Sequence, residues 1–269
     1  MSKPSGKAQH ERLCALLETF GLKHIANNLP SLLNAAEKEE QPYRQLLINA
    51  LEIEVKGRNE RRRQRNYALA HFPPSARPID EFDPSELESG ITHGQIKQLK
   101  DLSWLDACGN IILAGPPGLG KTMIALGLGV HAVNEGYTVC FEKVDNFFDI
   151  LAKADYDRSA GFRLKNIKKA QLTILDEIGY ATITKEQANR FFCFVSDAYE
   201  KRSIVFTTNK QIPEWVEMMG DPVLTTAMMD RILHRAQCFS LKGESYRLKY
   251  PHLFAGGNAS CRTALVYHV

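Results

Sequence analysis

Residues 115–122 read Gly-Pro-Pro-Gly-Leu-Gly-Lys-Thr, and no other stretch restricts the fold of this chain as much. Glycines at these positions let successive backbone N–H groups turn inward and surround an anion. The spacing G-x-x-x-x-G-K-T cradles phosphate oxygens only where a strand delivers the loop and a helix leaves it, so that the helix N-terminus adds its partial positive charge. Both conditions are met. "NIILA" (110–114) is an apolar run of strand length, and "KTMIALGLGVHAVNEG" (121–136) is a helix stopped by Gly136. Gly115, Pro116, Pro117, Gly118, Leu119 and Gly120 form the cradle, Lys121 reaches the β- and γ-phosphates, and Thr122 offers its hydroxyl to Mg²⁺. The implied ligands are ATP and magnesium.

The pattern that starts there continues. "YTVCFEKV" (137–144), "AQLTILDE" (170–177) and "SIVFTTN" (203–209) read as strands. Between them stand two helices: "DNFFDILAKA", with Asp145 as the expected N-cap, and "TKEQANRFFCFVSDAYEKR", whose Thr184 and Gln187 form a capping box. Strands separated by helices imply an α/β fold with a parallel sheet covered on both faces. In such sheets ligands sit at the carboxyl ends of the strands. Asp176 and Glu177 end one strand there: the first suits water-mediated magnesium binding, the second polarisation of an attacking water. Asn209 ends another strand and suits sensing of the γ-phosphate. Arg231, in "TAMMDRILHRA", is a candidate arginine finger for a neighbouring subunit, with Arg235 one turn away as a substitute, and Arg247, in "GESYRLK", is a candidate γ-phosphate contact in its own subunit. Either arginine also suits an ordinary surface or ion-pair role.

Ahead of this core, residues 10–70 read as helical. Leu13, Leu16, Leu17 and Phe20 share one face, and a second helix starting near Pro42 carries Leu47, Leu51 and Val55 on one stripe. "HFPPSARP" breaks the helical pattern. The expected organisation is a helical N-terminal domain over 1–75, serving DNA binding or oligomerisation, an ATPase domain over 76–249, and a tail over 250–269 without an assigned role. No run of eighteen apolar residues and no signal-peptide core appear, which points to the cytoplasm and away from membranes. The six cysteines and eight histidines are scattered, so neither a zinc site nor a disulfide framework is implied.

Net charge is only +3, but it is unevenly spread. Lys56, Arg58, Arg61, Arg62, Arg63 and Arg65 face a single acid, Glu60, and a second run holds Arg158, Arg163, Lys165, Lys168 and Lys169 with no acid. A charge run is commonly a solvated helix face. These two lack i,i+4 acidic partners, and that makes them candidate DNA contacts. No helix-turn-helix, zinc finger or aromatic-interleaved motif accompanies them, so the expected binding is to the DNA backbone, with little sequence preference.

The order "GPPGLGKT", "LTILDEIGY", "FTTN", "GDPVLTTAMMDRILHRA", "LKGESYRLK" resembles the IstB family, AAA+ helper ATPases of certain insertion sequences related to DnaC-type helicase loaders. The resemblance runs from about residue 10 to about residue 250 and is carried chiefly by "DEIGY" and "KGESYRLK". It implies a P-loop AAA+ core without a full helical lid, an acidic motif at Asp176 and Glu177, a first sensor at Asn209, a finger at Arg231 and a second sensor at Arg247. It further implies an oligomeric ATPase that assembles on target DNA and stimulates a cognate transposase, with a helicase loader of the same fold as the alternative. A metabolic P-loop kinase is a third reading, disfavoured by the Asp-Glu pair and the absence of an acceptor motif.

Overall fold

The computed structural model describes residues 6–179, 183–211 and 213–249. Two compact units divide the chain, one closing at Asn66 and the other opening at Tyr67. The division lies inside a helix, ahead of the proline run at which the composition changes.

The first unit contains α1 (Gly6–Thr19), α2 (Lys23–Lys38) and most of α3 (Tyr43–Ala70). Its small core is Leu17, Ile25 and Leu29, with Cys14, Leu22, Ala26, Leu33 and Ala50 against them. The stripe expected to be buried on α3 is instead exposed: Leu47, Leu51 and Val55 are 63%, 56% and 57% accessible. The reason lies on the adjoining flank of that helix, where Glu54 follows Leu51 by three residues. Glu54 is buried and its Oε2 accepts from the backbone N–H groups of His24 and Ile25, at 2.8 and 3.1 Å, which caps the start of α2. Gly57 admits the His24 ring, which an added Cβ would meet at 2.1 Å. Close approach and capping therefore decide which side of α3 faces inward. On α1, likewise, only Leu17 of the expected face is buried, while Leu13, Leu16 and Phe20 are exposed.

The second unit is the α/β body. After two 3₁₀ turns come α4 (His93–Lys100) and α5 (Ser103–Asp106), then β1 (Asn110–Ala114), α6 (Lys121–Asn134), β2 (Val139–Lys143), α7 (Val144–Lys153), α8 (Arg158–Lys169), β3 (Leu172–Ile178), α9 (Lys185–Ala198), β4 (Ser203–Thr208), α10 (Glu214–Met219), α11 (Pro222–Leu233), β5 (Ala236–Ser240) and α12 (Tyr246–Lys249). The five strands form one parallel sheet in the order β2-β3-β4-β1-β5. Parallel sheets need both faces covered. One face packs Ile111, Leu113, Ile174 and Val205 under α6 and α4; the other packs Ile112, Leu175, Ile204 and Phe206 under α7, α9 and α11, with Phe147, Phe191 and Phe194 interlocked edge to face.

Local chemistry explains the element ends. Thr184 caps α9 and forms the expected box with Gln187. Asp145, expected to cap α7, lies inside its first turn, because that helix starts at Val144 directly off the end of β2, with Lys143 in the cap position. Among the described residues no helix is long and apolar enough to cross a membrane.

Candidate active site

The loop after β1 follows from its glycines. Gly118 holds a φ of +83°, and an added Cβ would meet Ser245 Oγ at 2.0 Å. Gly120, with φ +82°, is the left-handed residue from which α6 departs, so the first amides of that helix open toward the loop. Lys121 Nζ donates to the carbonyls of Gly115 and Pro116, each at 2.7 Å, and folds its ammonium back over the loop. From beyond β5 the chain returns to the same place: Leu241 N–H donates to Ala114 O at 2.8 Å and Tyr246 N–H to Gly118 O at 3.0 Å.

Two β-strands and the start of α6 deliver the acids and hydroxyls: Asp176 and Glu177 from β3, Thr207 from β4 and Thr122 from the helix. Asp176, at 1% exposure, accepts through Oδ1 from Thr122 Oγ1 at 2.8 Å and from Thr207 Oγ1 at 2.6 Å. Burial pushes its carboxyl above the usual carboxylate range, against the two hydroxyl bonds that favour the charged form. Hydroxyl and carboxylate oxygens are the hard donors that magnesium takes. Glu177 follows with φ +65°, where the pairing of β3 with β4 shifts register between Leu175 and Ile178. A side chain at such a bulge is re-aimed, and the strained backbone is held here by Glu177 N–H donating to Thr207 Oγ1 at 2.9 Å. Glu177 is thus the one exposed residue of an otherwise buried strand.

Two partners escaped sequence reasoning. Thr207 ties both acids together. Lys143, at the end of β2, donates from Nζ to Glu177 Oε2 at 3.0 Å, and this bond raises the lysine's pKa. These residues are 34 positions apart, and they meet because β2 and β3 pair with Lys143 opposite Asp176. Parallel register of that kind leaves no mark in a single sequence.

Asn209 stands just past β4, with a buried Oδ1 that has no hydrogen-bond partner among the described residues, close to Gly179. A buried unsatisfied amide oxygen is costly, and its presence beside the acids fits a site that a polar ligand or water completes. Arg231 lies elsewhere. It bonds to Ala227 O at 2.7 Å, stacks over the Phe192 ring at 4.9 Å, and lines a small cavity with Asn110 and Ile204, residues at the starts of β1 and β4. The loop and acids occupy the opposite ends of the strands. Arg235, the substitute finger, pairs with Glu200 at 3.3 Å. Arg247 belongs to α12 by its backbone; its side chain lies outside the described residues.

The basic runs differ from expectation. Arg163 is 8% exposed and is no surface cation: it pairs with Glu142, donates to the carbonyls of Leu69 and Phe141, and reaches Cys140 Sγ. Its place on the inward face of α8, one turn from buried Ile167, removes it from the DNA-facing set. The first run also has acidic partners after all, Arg58 with Glu54 and Arg63 with Glu60. Lys56, Arg61, Arg62 and Arg65 are exposed, as are Lys165, Lys168 and Lys169. The second run also proves to be interleaved with an aromatic ring, Phe162, which is 64% exposed.

Comparison with known proteins identifies the family of the chain. The family described as IstB-like ATP binding protein matches residues 15–253. A Pseudomonas aeruginosa protein, named as an ATP-binding protein of insertion sequence IS21, is 39% identical over 240 residues, covering 89% of each chain. A Geobacillus stearothermophilus protein, named for ATP binding in insertion sequence IS5376, is 33% identical over 243 residues, covering 90% of this chain and 96% of the relative. Among solved structures, DnaI superposes with a TM-score of 0.51 at 16% identity, over 66% of this chain and 95% of that one. The replication initiator DnaA, bound to AMPPCP and single-stranded DNA, superposes with a TM-score of 0.51 at 16% identity, over 70% and 58%. These two likenesses establish the fold.

Proposed function

The chain belongs to the family of IstB-like ATP binding proteins, and from that premise we propose that this AAA+ ATPase is the ATP-driven helper of an insertion sequence, assembling as a homo-oligomer on target DNA and stimulating its partner transposase in the cytoplasm. In the hydrolytic step a water oxygen bonds to the γ-phosphorus of ATP while the bond from that phosphorus to the β,γ-bridging oxygen breaks, with ADP leaving. Glu177 takes the water's proton, Asn209 orients the water, and Lys121 balances charge on the γ-phosphate. A magnesium ion held through Thr122 and Asp176 would neutralise charge on the β- and γ-oxygens. Glu177 performs this role only after parting from Lys143, whose ammonium otherwise holds the oxygen that must accept the proton.

One observation carries the assembly part of the reading. Arg231 stands near the start of β1 and the phosphate loop leaves its end, and a five-residue strand is about 16 Å long. That separation from the phosphate loop of its own subunit supports a role for Arg231 as a finger in a neighbour's site. Nucleotide occupancy then governs a subunit interface, and the exposed cations, repeated in each subunit, become a multivalent DNA surface. A helicase loader would use the same fold; it is separated by its partner, a replicative helicase in place of a transposase.

Arg231→Ala and Glu177→Gln proteins should each bind ATP and each lack hydrolysis. Mixed, they should regain part of it, because one class of interface then pairs an intact Glu177 with an intact Arg231. Mixtures that co-assemble and stay inactive at every ratio would overturn the trans assignment.

A further inference from the structure

Helix α8 (Arg158–Lys169) presents two faces of opposite character. Arg163 and Ile167 point inward and are buried. The outward stripe is Arg158, Phe162, Lys165 and Lys169, spaced four, three and four residues apart and so aligned along one side of the helix. Phe162 is 64% exposed, and Tyr156, just ahead of the helix, is 78% exposed. No salt bridge engages Arg158, Lys165, Lys168 or Lys169 among the described residues. The acids that precede the helix are committed elsewhere: Asp157 caps α8 through Ser159 and Ala160 N–H, Asp155 pairs with Arg190, and Asp149 pairs with Lys153. The contrast is with α3, where Arg58 and Arg63 are both paired with acids.

A phenyl ring left in water between cations lacks any structural use in the described fold: it belongs to neither core cluster of the second unit. Its complement must offer negative charge and a flat apolar surface at one spacing. Arg158 and Lys165 are about 10 Å apart along the helix axis, with the ring between them. A nucleic-acid strand whose phosphates rest on those cations brings its bases to the ring, but a base in a regular duplex is already stacked on its neighbours. We propose that the Phe162 face of α8 is a stacking platform for an unstacked DNA base, so that the protein binds distorted or single-stranded DNA more tightly than regular duplex. This rests on the DNA-binding reading above and adds to it a preference for DNA form and the residue that sets it.

The experiment uses the full chain with a non-hydrolysable ATP analogue and Mg²⁺. Affinity is measured by fluorescence anisotropy for a regular duplex, the same duplex with a two-base mismatch, and its single strand. 2-Aminopurine in the mismatch reports unstacking. The wild type should favour the mismatched or single-stranded form. Phe162→Ala should weaken binding to that form by about five- to a hundredfold, the range of one base–aromatic stack, with regular duplex and the salt slope unchanged. Phe162→Trp should retain the preference. Lys165→Gln with Lys169→Gln should instead lower the duplex salt slope by about 1.8 and weaken all forms together. A Phe162→Ala protein with wild-type preference and an unaltered 2-aminopurine signal overturns the platform. If α8 variants leave affinity untouched while the wild type binds DNA, the inference fails and the DNA-binding reading stands; if the wild type binds no DNA, both fail. Vesicles of anionic phosphatidylglycerol that bind the wild type but not Phe162→Ala, with DNA binding unchanged, would reassign the face to a membrane surface.

Discussion

Replacing Arg163 with alanine should destabilise the ATPase body and leave the salt dependence of DNA binding unchanged. The side chain is 10% exposed and its partner Glu142 is 7% exposed. Truncation leaves the Glu142 carboxylate with Asn146 on one oxygen and nothing on the other, and it deprives the carbonyls of Leu69 and Phe141 of a donor. Removing one partner of a buried pair costs about 3–5 kcal/mol. In a unit of this size each kcal/mol lowers Tm by about 2–4 °C, so a loss of about 4 kcal/mol lowers it by roughly 8–16 °C. The double variant Glu142→Leu, Arg163→Met should recover much of this, because no charge is then left buried. Thermal melts by circular dichroism measure the shift, and DNA titrations below the melt measure the slope. A Tm change under about 2 °C, together with a slope reduced by about 0.9, would make Arg163 a phosphate contact and refute the reasoning.

Three further outcomes follow from the site. Lys121→Ala should abolish ATP binding, whereas Glu177→Gln should bind ATP and hydrolyse it poorly; a nucleotide titration beside a phosphate-release assay separates them, and normal turnover in Glu177→Gln would remove its role. Lys143→Met should speed basal hydrolysis, but by no more than about fivefold, since the Lys143–Glu177 pair is more than half exposed on the lysine side and such pairs are worth about 1 kcal/mol at most; a slower variant would make Lys143 a helper rather than a restraint. Asp176→Asn should stop hydrolysis yet stabilise the nucleotide-free protein. Burial raises that carboxyl's pKa, so its contribution to stability is present at low pH and lost as pH rises through the raised value. The variant's Tm advantage should therefore grow from acid toward neutral pH, and an advantage that shrinks instead would contradict the burial argument.

The parts of this site that were legible in sequence are those whose chemistry is local. A phosphate cradle needs its glycines, lysine and threonine in one short run, and the capping box at Thr184 needs only Gln187 three residues on. Other features depend on partners far along the chain. Lys143 meets Glu177 through strand register, and Thr207 reaches Asp176 across the sheet. Charge alone puts Arg163 among the surface cations, whereas its phase on the helix, four residues from Ile167, decides its place. The apolar stripe of α3 had the right period for a core. Yet Glu54 and Gly57, on the flank beside it, cap and admit α2, and a single sequence gives no sign of which face a neighbour will take.

We propose that ATP occupancy, read by Arg231 across a subunit interface, controls assembly on DNA. Sedimentation of the full chain with duplex DNA tests it most directly, in the presence of either a non-hydrolysable ATP analogue or ADP, with Arg231→Ala as the third sample. Large, cooperative protein–DNA complexes should form with the analogue, and they should be lost with ADP and lost in Arg231→Ala even when the analogue is bound. A single subunit on DNA, with the same size in every nucleotide state, would contradict it.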